Sequence, residues 1–443
     1  MRFLVAAMFV VLALAGCTDS EDSPDTTGFD REPTYENVQP ASANGLEFVA
    51  QLKDADGNAF PTAAGMWAYG DYVFGSGLNQ RIFIADVSDP ANPVLVYHAP
   101  EDSETSFARD ADLVHHEDGR ITLALATQFD GVHFWDVTVP EEATFLARVV
   151  TDSANHNVAV LPGTTLVFNS QSGGESTTND LIDAADPSNP VILGTYGEYG
   201  CHDISFFGGF GGEKFRAYCA GIDRTEVWNL DGLNTSMAGF GITVLGIVDF
   251  DDDPTDSPVI GNPLFEAYPL RTLHHLAMVN EDASILIIGD EHNGGGTPGT
   301  CLLYDETTGA STPLGALWFY DLSDETNPTL LSWFSPPLVA PTVPPALDVP
   351  SDPATINPTN PAGVLSNIPN CTAHFGTLVP GEEKLVIGWY SAGVLLIDFS
   401  NPSSPTLLDQ YMPEGTNPWD ARVQDGYVFT GDIGRGMDVL KLV

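Results

Sequence analysis

A phrase recurs along this chain: a short apolar run, an Asp, one apolar residue, then Ser-Asp-Pro or a near variant, often with a second Pro close behind. Ile84-Ala85-Asp86-Val87-Ser88-Asp89-Pro90 returns as Phe319-Tyr320-Asp321-Leu322-Ser323-Asp324-Glu325 and as Leu396-Ile397-Asp398-Phe399-Ser400-Asn401-Pro402. Weaker copies stand at Trp135-Asp136-Val137-Thr138, at Ile182-Asp183 with Asp186-Pro187, at Trp228-Asn229-Leu230 and at Met437-Asp438-Val439, making seven. The key positions 86, 136, 183 and 229 are 50, 47 and 46 residues apart, and the steps on to 321 and 398 are 92 and 77. Roughly 40–50 residues is the period of a four-stranded propeller blade. The two long steps then each read as one blade plus an insertion. The expectation is an all-β fold, a seven-bladed β-propeller, because repeat units of this kind bury their apolar faces only against one another.

Within each period the phrase is preceded by two β-like runs and followed by a third, with Gly, Asn and Asp between them. The Asp-Pro and Asn-Pro steps end the third strand, since Pro donates no ladder hydrogen bond and disfavours helix in the residue before it. The chain stops on a third strand, Met437 to Leu442, while Gly45 to Gln51 supplies one strand too many at the start. Pairing the two closes the ring through an N-terminal strand and removes an open sheet edge. Insertions are expected at about 237–270, with the acidic run Asp249 to Asp253, and at about 335–370, with ten prolines. A stretch of the second kind reads as an irregular loop.

The first residues read as a lipoprotein signal over 1–16: Arg2, an apolar stretch from Phe3 to Ala15, and Leu14-Ala15-Gly16-Cys17. That stretch is too short to span a bilayer. Cys17 would become the lipidated first residue of the mature chain, and 17–44, polar and acidic, a flexible tether before a propeller over 45–443. Fifteen Lys and Arg stand against 61 Asp and Glu, a net charge of −46, which makes nucleic acid and anionic lipid poor partners. Beyond Cys17 four cysteines remain, which in an oxidising compartment allow three disulfide pairings. Cys201–Cys219 is favoured because both fall on adjacent strands of one hairpin, and Cys301–Cys371 then follows by elimination. A thiolate metal site is the alternative.

Aligning the blades on the Gly-containing turn after the first strand brings one position into register: Asp112, His156, His202, His275, His374 and Asp420, with about Ala64 in the first blade. First strands line the channel of a propeller, so these residues would form a ring. Four imidazoles and two carboxylates are donors suited to a transition metal ion such as Zn, Fe, Cu or Mn. The plainer reading is a polar ring that hydrogen-bonds backbone groups of neighbouring blades, a role that suits Asp112 and Asp420. Asp290-Glu291-His292-Asn293, before a Gly triplet, could extend the site, and His115, His116 and His274 stand beside the ring position. Asp249-x-Asp251-x-Asp253 opens like a calcium loop but lacks the downstream Gly and Glu. Serine-hydrolase, phosphate-loop and dinucleotide motifs do not occur.

On the Asp-Val-Ser-Asp-Pro phrase and its neighbour Gly393-Val394-Leu395-Leu396-Ile397-Asp398, the chain resembles the LVIVD-repeat propeller proteins over about residues 45 to 443. The resemblance implies an exported, commonly membrane-anchored propeller and little about chemistry. The expected location is extracytoplasmic, held to a membrane through lipid on Cys17. The expected function is a binding or scaffold module for a protein or small-molecule partner. Its alternative is a metal-dependent enzyme, an oxidoreductase or hydrolase, with one metal ion in the channel.

Overall fold

The computed structural model describes residues 45–443 apart from 61–62, 78–79, 100–107, 129, 152–154, 172–178, 210–211, 213, 234–241, 250–272, 292–301, 305–310, 314 and 337–370. The expected signal, Cys17 and the tether lie outside the described residues. So do most of the proline-rich stretch, Asp251, Asp253, His292 and Cys301.

Seven four-stranded antiparallel sheets make up the described chain, with one two-stranded hairpin, Leu302–Tyr304 paired to Ser311–Pro313. Seven first strands, Met66–Tyr69, Ala108–His115, Asn157–Val160, Asp203–Phe207, His274–Val279, Ala373–Leu378 and Pro418–Gln424, each touch the first strands of the blades before and after them. They are the inner wall of a closed seven-bladed propeller. The last blade takes its outer strand from the N-terminus: Leu46–Gln51 runs antiparallel to Asp438–Leu442, with Leu46 opposite Leu442 and Gln51 opposite Asp438. Among the described residues no helix is long and apolar enough to cross a membrane.

The second strands are buried on both faces, as in Leu123-Ala124-Leu125-Ala126 and Leu385-Val386-Ile387, because each blade is sandwiched between two others. One cluster, for example, joins Val114, Ala124 and Phe134 of blade two to Val158, Val167 and Ile182 of blade three. Inner strands also fasten to one another through polar side chains. Asp110 and Asp112 accept the Val158 and Val160 N–H groups at 3.0 and 2.7 Å, Ser205 donates to the Ala277 carbonyl at 2.6 Å, and Thr377 to that of Ala421 at 2.9 Å. Asp420 accepts the Met66 N–H at 3.0 Å across the junction where the last blade meets the first.

The recurring phrase is a turn between the third and outer strands. Its Asp accepts the N–H two residues on: Asp86 from Ser88 and Asp136 from Thr138 at 2.9 Å, Asp321 from Ser323 and Asp398 from Ser400 at 2.8 Å. Asp183 and Asn229 do the same. These are Asx turns, in which the side chain stands in for a backbone carbonyl. The seventh copy is different. Asp438 begins its strand rather than ending it, and by the pairing of Tyr427 with Lys441, against Tyr72 with Asp86, the equivalent position is Lys441. The strand continues past it to Leu442, paired with Leu46. The region read as an insertion over 237–270 contains the outer strand of blade four, Thr243–Asp249.

Antiparallel alternation puts the start of each first strand on one face of the ring and the phrase turns on the other. Gly45, whose N–H bonds the Val443 carbonyl at 2.9 Å, enters on the phrase face. Deleting residues 46–51 is expected to lower the melting temperature by about 10 °C or more, since an unpaired edge and exposed Leu440 and Val439 cost several kcal/mol. Unchanged thermal unfolding of the truncated protein would refute closure by this strand.

Candidate functional site

One backbone irregularity builds the site. At the entrance of the inner strand the ladder to the second strand slips between His274 and Leu276, Ala373 and Gly376, Pro418 and Asp420, and Ala108 and Asp110. Bulges re-aim the side chains they release, here His275, His374, Trp419 and Arg109. In blades three and four the same place is held by His156 and His202, whose N–H groups bond Ser170 and Ala220 carbonyls at 2.8 and 2.5 Å just before the ladder begins. In blade one it is Gly65, one residue after Ala64, paired to Ser76. The ring in order is Gly65, Arg109, His156, His202, His275, His374 and Trp419.

Neighbours in that ring touch. Ring centroids are 4.0 Å apart for His156 and His202, 4.5 Å for His202 and His275, 4.0 Å for His275 and His374, and 4.4 Å for His374 and Trp419. The Arg109 guanidinium lies 5.6 Å from the Trp419 ring centre and extends the row beyond it. Glu291, from the end of the second strand of blade five, reaches in: its Oε2 is 3.7 Å from His275 Nε2 and its Oε1 is 3.6 Å from His374 Nε2. His202, His275 and Glu291 each offer a donor atom within 4.8 Å of the other two. Donors about 2.0–2.1 Å from a tetrahedral ion stand about 3.4 Å apart, so this set would contract to hold one.

Two tautomers are determined by their partners. His374 Nδ1 is 2.6 Å from the Trp419 carbonyl, which can only accept, so Nδ1 carries the proton and Nε2 presents a lone pair. His156 Nδ1 is 2.5 Å from Asn157 Oδ1, and Asn157 Nδ2 donates to Asp203 at 3.0 Å, which leaves the oxygen as acceptor for the same tautomer. Tying off Nδ1 this way orients a histidine for metal ligation through Nε2. Burial holds the imidazoles of His156 and His374 neutral, with affinity for protons well below the ordinary value of 6.5. For His156 the neighbouring His202 adds to the effect. Burial also pushes the Glu291 carboxyl up to about 8, against the opposing hydrogen bond from the Tyr390 hydroxyl and the charge of Arg109. The site is a buried cluster in which neutral His156 and His374 stand beside one acid.

Of the six positions expected in register, His156, His202, His275 and His374 come together. Asp112 and Asp420 stand outside the group of mutually close donors. Asp112 bonds the Leu113 and Val160 amides, and Asp420 the Met66 and Ala421 amides together with Arg422 Nε at 2.9 Å. Blade two begins its inner strand at Ala108, earlier than the Gly turn suggests, so the ring residue is Arg109. In blade seven it is Trp419, one residue before Asp420. His116 bonds Thr122 and His274 bonds Thr225, at 2.9 and 2.8 Å, and His115 packs edge-on against Tyr69. Arg109, Trp419 and Tyr390 escaped sequence reasoning, since none is a ligand type; their signal is the residue just ahead of Asp110 and Asp420, or just after Trp389. Cys201 and Cys219 form a disulfide with sulfurs 2.06 Å apart, and Cys371 is disulfide-bonded too, so these three are not free thiolates.

Asp420→Ala is expected to cost roughly 3–5 kcal/mol, because it leaves Arg422 buried without its carboxylate. Asp112→Ala should cost about 1–3 kcal/mol for the orphaned amide. Denaturant unfolding measures both, and a loss near zero in each would remove the inter-blade role assigned here.

Two stretches match the LVIVD repeat, residues 62–98, which span blade one, and residues 387–413, in blade six. No curated protein matches the chain. The chain is a seven-bladed β-propeller that carries matches to the LVIVD repeat in two of its blades.

Proposed function

We propose that this protein is a lipid-anchored, extracytoplasmic binding module whose propeller holds one transition metal ion at the mouth of its channel. The observation that carries the reading is the convergence of four buried imidazoles with Glu291, His202 and His275 being close to each other and to its carboxylate. His202, His275 and Glu291 would be ligands, and His156 and His374, with Nδ1 tied off, would complete the set from either side. An N-rich set with one carboxylate suits Zn, Cu, Fe or Ni, whereas a site of soft thiolates would need cysteines that are here in disulfides. A metal ion supplies Lewis acidity and can activate a bound water or substrate. The chain's own part is to hold neutral donors in a dry ring, and with Tyr390 to hold Glu291 in place.

Anchoring rests on the Leu14-Ala15-Gly16-Cys17 sequence. The disulfide suits an oxidising compartment. Because Gly45 enters on the phrase face, an anchor at Cys17 would leave the histidine face turned toward partners and solutes.

Elemental analysis of protein purified without a metal-affinity tag is expected to find about one ion per chain. A His202→Ala/His275→Ala pair should abolish it, and Glu291→Gln should weaken binding about 10-fold or more. Metal content unchanged by the double substitution would sink the reading. Separately, Cys17→Ser should move the protein from the membrane to the soluble fraction; persistence in the membrane would overturn lipid anchoring.

A further inference from the structure

The ring has two unlike arcs. Histidines make one, and the other is Trp419 and Arg109 with Gly65 between them. Gly65 is bare because a Cβ there would lie 2.8 Å from the Arg109 carbonyl oxygen and the Asp110 Cα. The bare position lets the Arg109 side chain lie toward Trp419 of the last blade. Gln128 Oε1 accepts from both Nε and Nη2 of Arg109, at 3.1 and 2.6 Å, which fixes the guanidinium plane. Beside it the indole of Trp419 is 6 % exposed and its Nε1–H, buried, has no acceptor among the described residues. An unmet buried donor is costly, and a bound acceptor would relieve it. One arc therefore offers lone pairs for a cation, and the facing arc offers N–H groups and a positive charge for an anion.

We propose that the metal centre takes a small monocarboxylate, bound to the ion through one oxygen and held by Arg109 and the Trp419 Nε1–H through the other. This rests on the metal-centre reading above. A carboxylate has two oxygens, so one can meet the ion while the other accepts from N–H donors. Buried Asp110 and Asp290 next to the ring, and the net charge of −46, select against di- and polyanions.

Cobalt(II)-loaded full-length protein, titrated with acetate and followed by its visible absorption, tests this. Saturable spectral change is expected with acetate and none with the neutral isostere acetamide. Trp419→Phe keeps the ring and removes the N–H; Arg109→Gln removes the charge. Each should bind acetate roughly 10-fold more weakly, with Arg109→Lys recovering part of the loss; Trp419→Phe should take up the same cobalt, whereas Arg109→Gln, which removes the charge beside Glu291, is titrated at its own saturating cobalt. Cobalt bound without an acetate response, equal acetate affinity in both variants, or acetamide binding as well as acetate would overturn the carboxylate site alone. If Arg109→Gln fails to fold, Trp419→Phe decides. Failure of the wild type to take up cobalt would remove the metal reading, and the carboxylate with it.

Discussion

The pairing of Leu46–Gln51 with Asp438–Leu442 is the contact on which the rest of the molecule depends. A propeller has no core at its axis to hold it shut; its blades are joined in series, and each packs only on its neighbours. One antiparallel ladder, together with the Asp420 bond to the Met66 amide, turns that series into a ring. Only in a closed ring do seven inner-strand entrances face one point. The histidines come from blades three to six, and Trp419 and Arg109 from blades seven and two, so the row of side chains crosses the closure.

Convergence in turn sets the chemistry. Imidazoles whose centroids lie 4.0 to 4.5 Å apart in a dry site cannot all carry charge, because burial removes hydration and each cation would repel the next. His156 and His374 stay neutral, which is the state a metal ligand needs. Tyr390 and Arg109 favour the anionic form of Glu291 while burial opposes it, so the carboxylate is poised rather than committed. The same residues scattered on a surface would be ordinary titrating side chains.

The phrase face carries a different logic. There the repeated Asp serves its own backbone at 2.8 to 2.9 Å, and the residues that recur most visibly in the sequence turn the chain and nothing more. Sequence repetition here reports on turns, while the site lies at the opposite end of the blades, where the positions share a bulge rather than a residue type. Register shows the difference: an alignment on the Gly turn finds the four histidines but chooses Asp420 over Trp419, one residue back at the bulge, and Asp112 over Arg109, because the inner strand of blade two starts earlier, at Ala108.

By itself the sequence determined the class of fold, the number of blades, the strand that closes them and the set of histidines at risk of meeting, since period, turn chemistry and alternation are local properties written along the chain. It also favoured the Cys201–Cys219 pairing among three, because both cysteines belong to one hairpin, and the structure forms that bond. What only the tertiary structure decided is which side chains share the ring. Glu291 joins from a second strand, Arg109 and Trp419 take positions no motif marks, and Asp112 and Asp420 are drawn away to backbone amides of the next blade. Those outcomes depend on distances between strands far apart in sequence, and such distances exist only once the ring is closed.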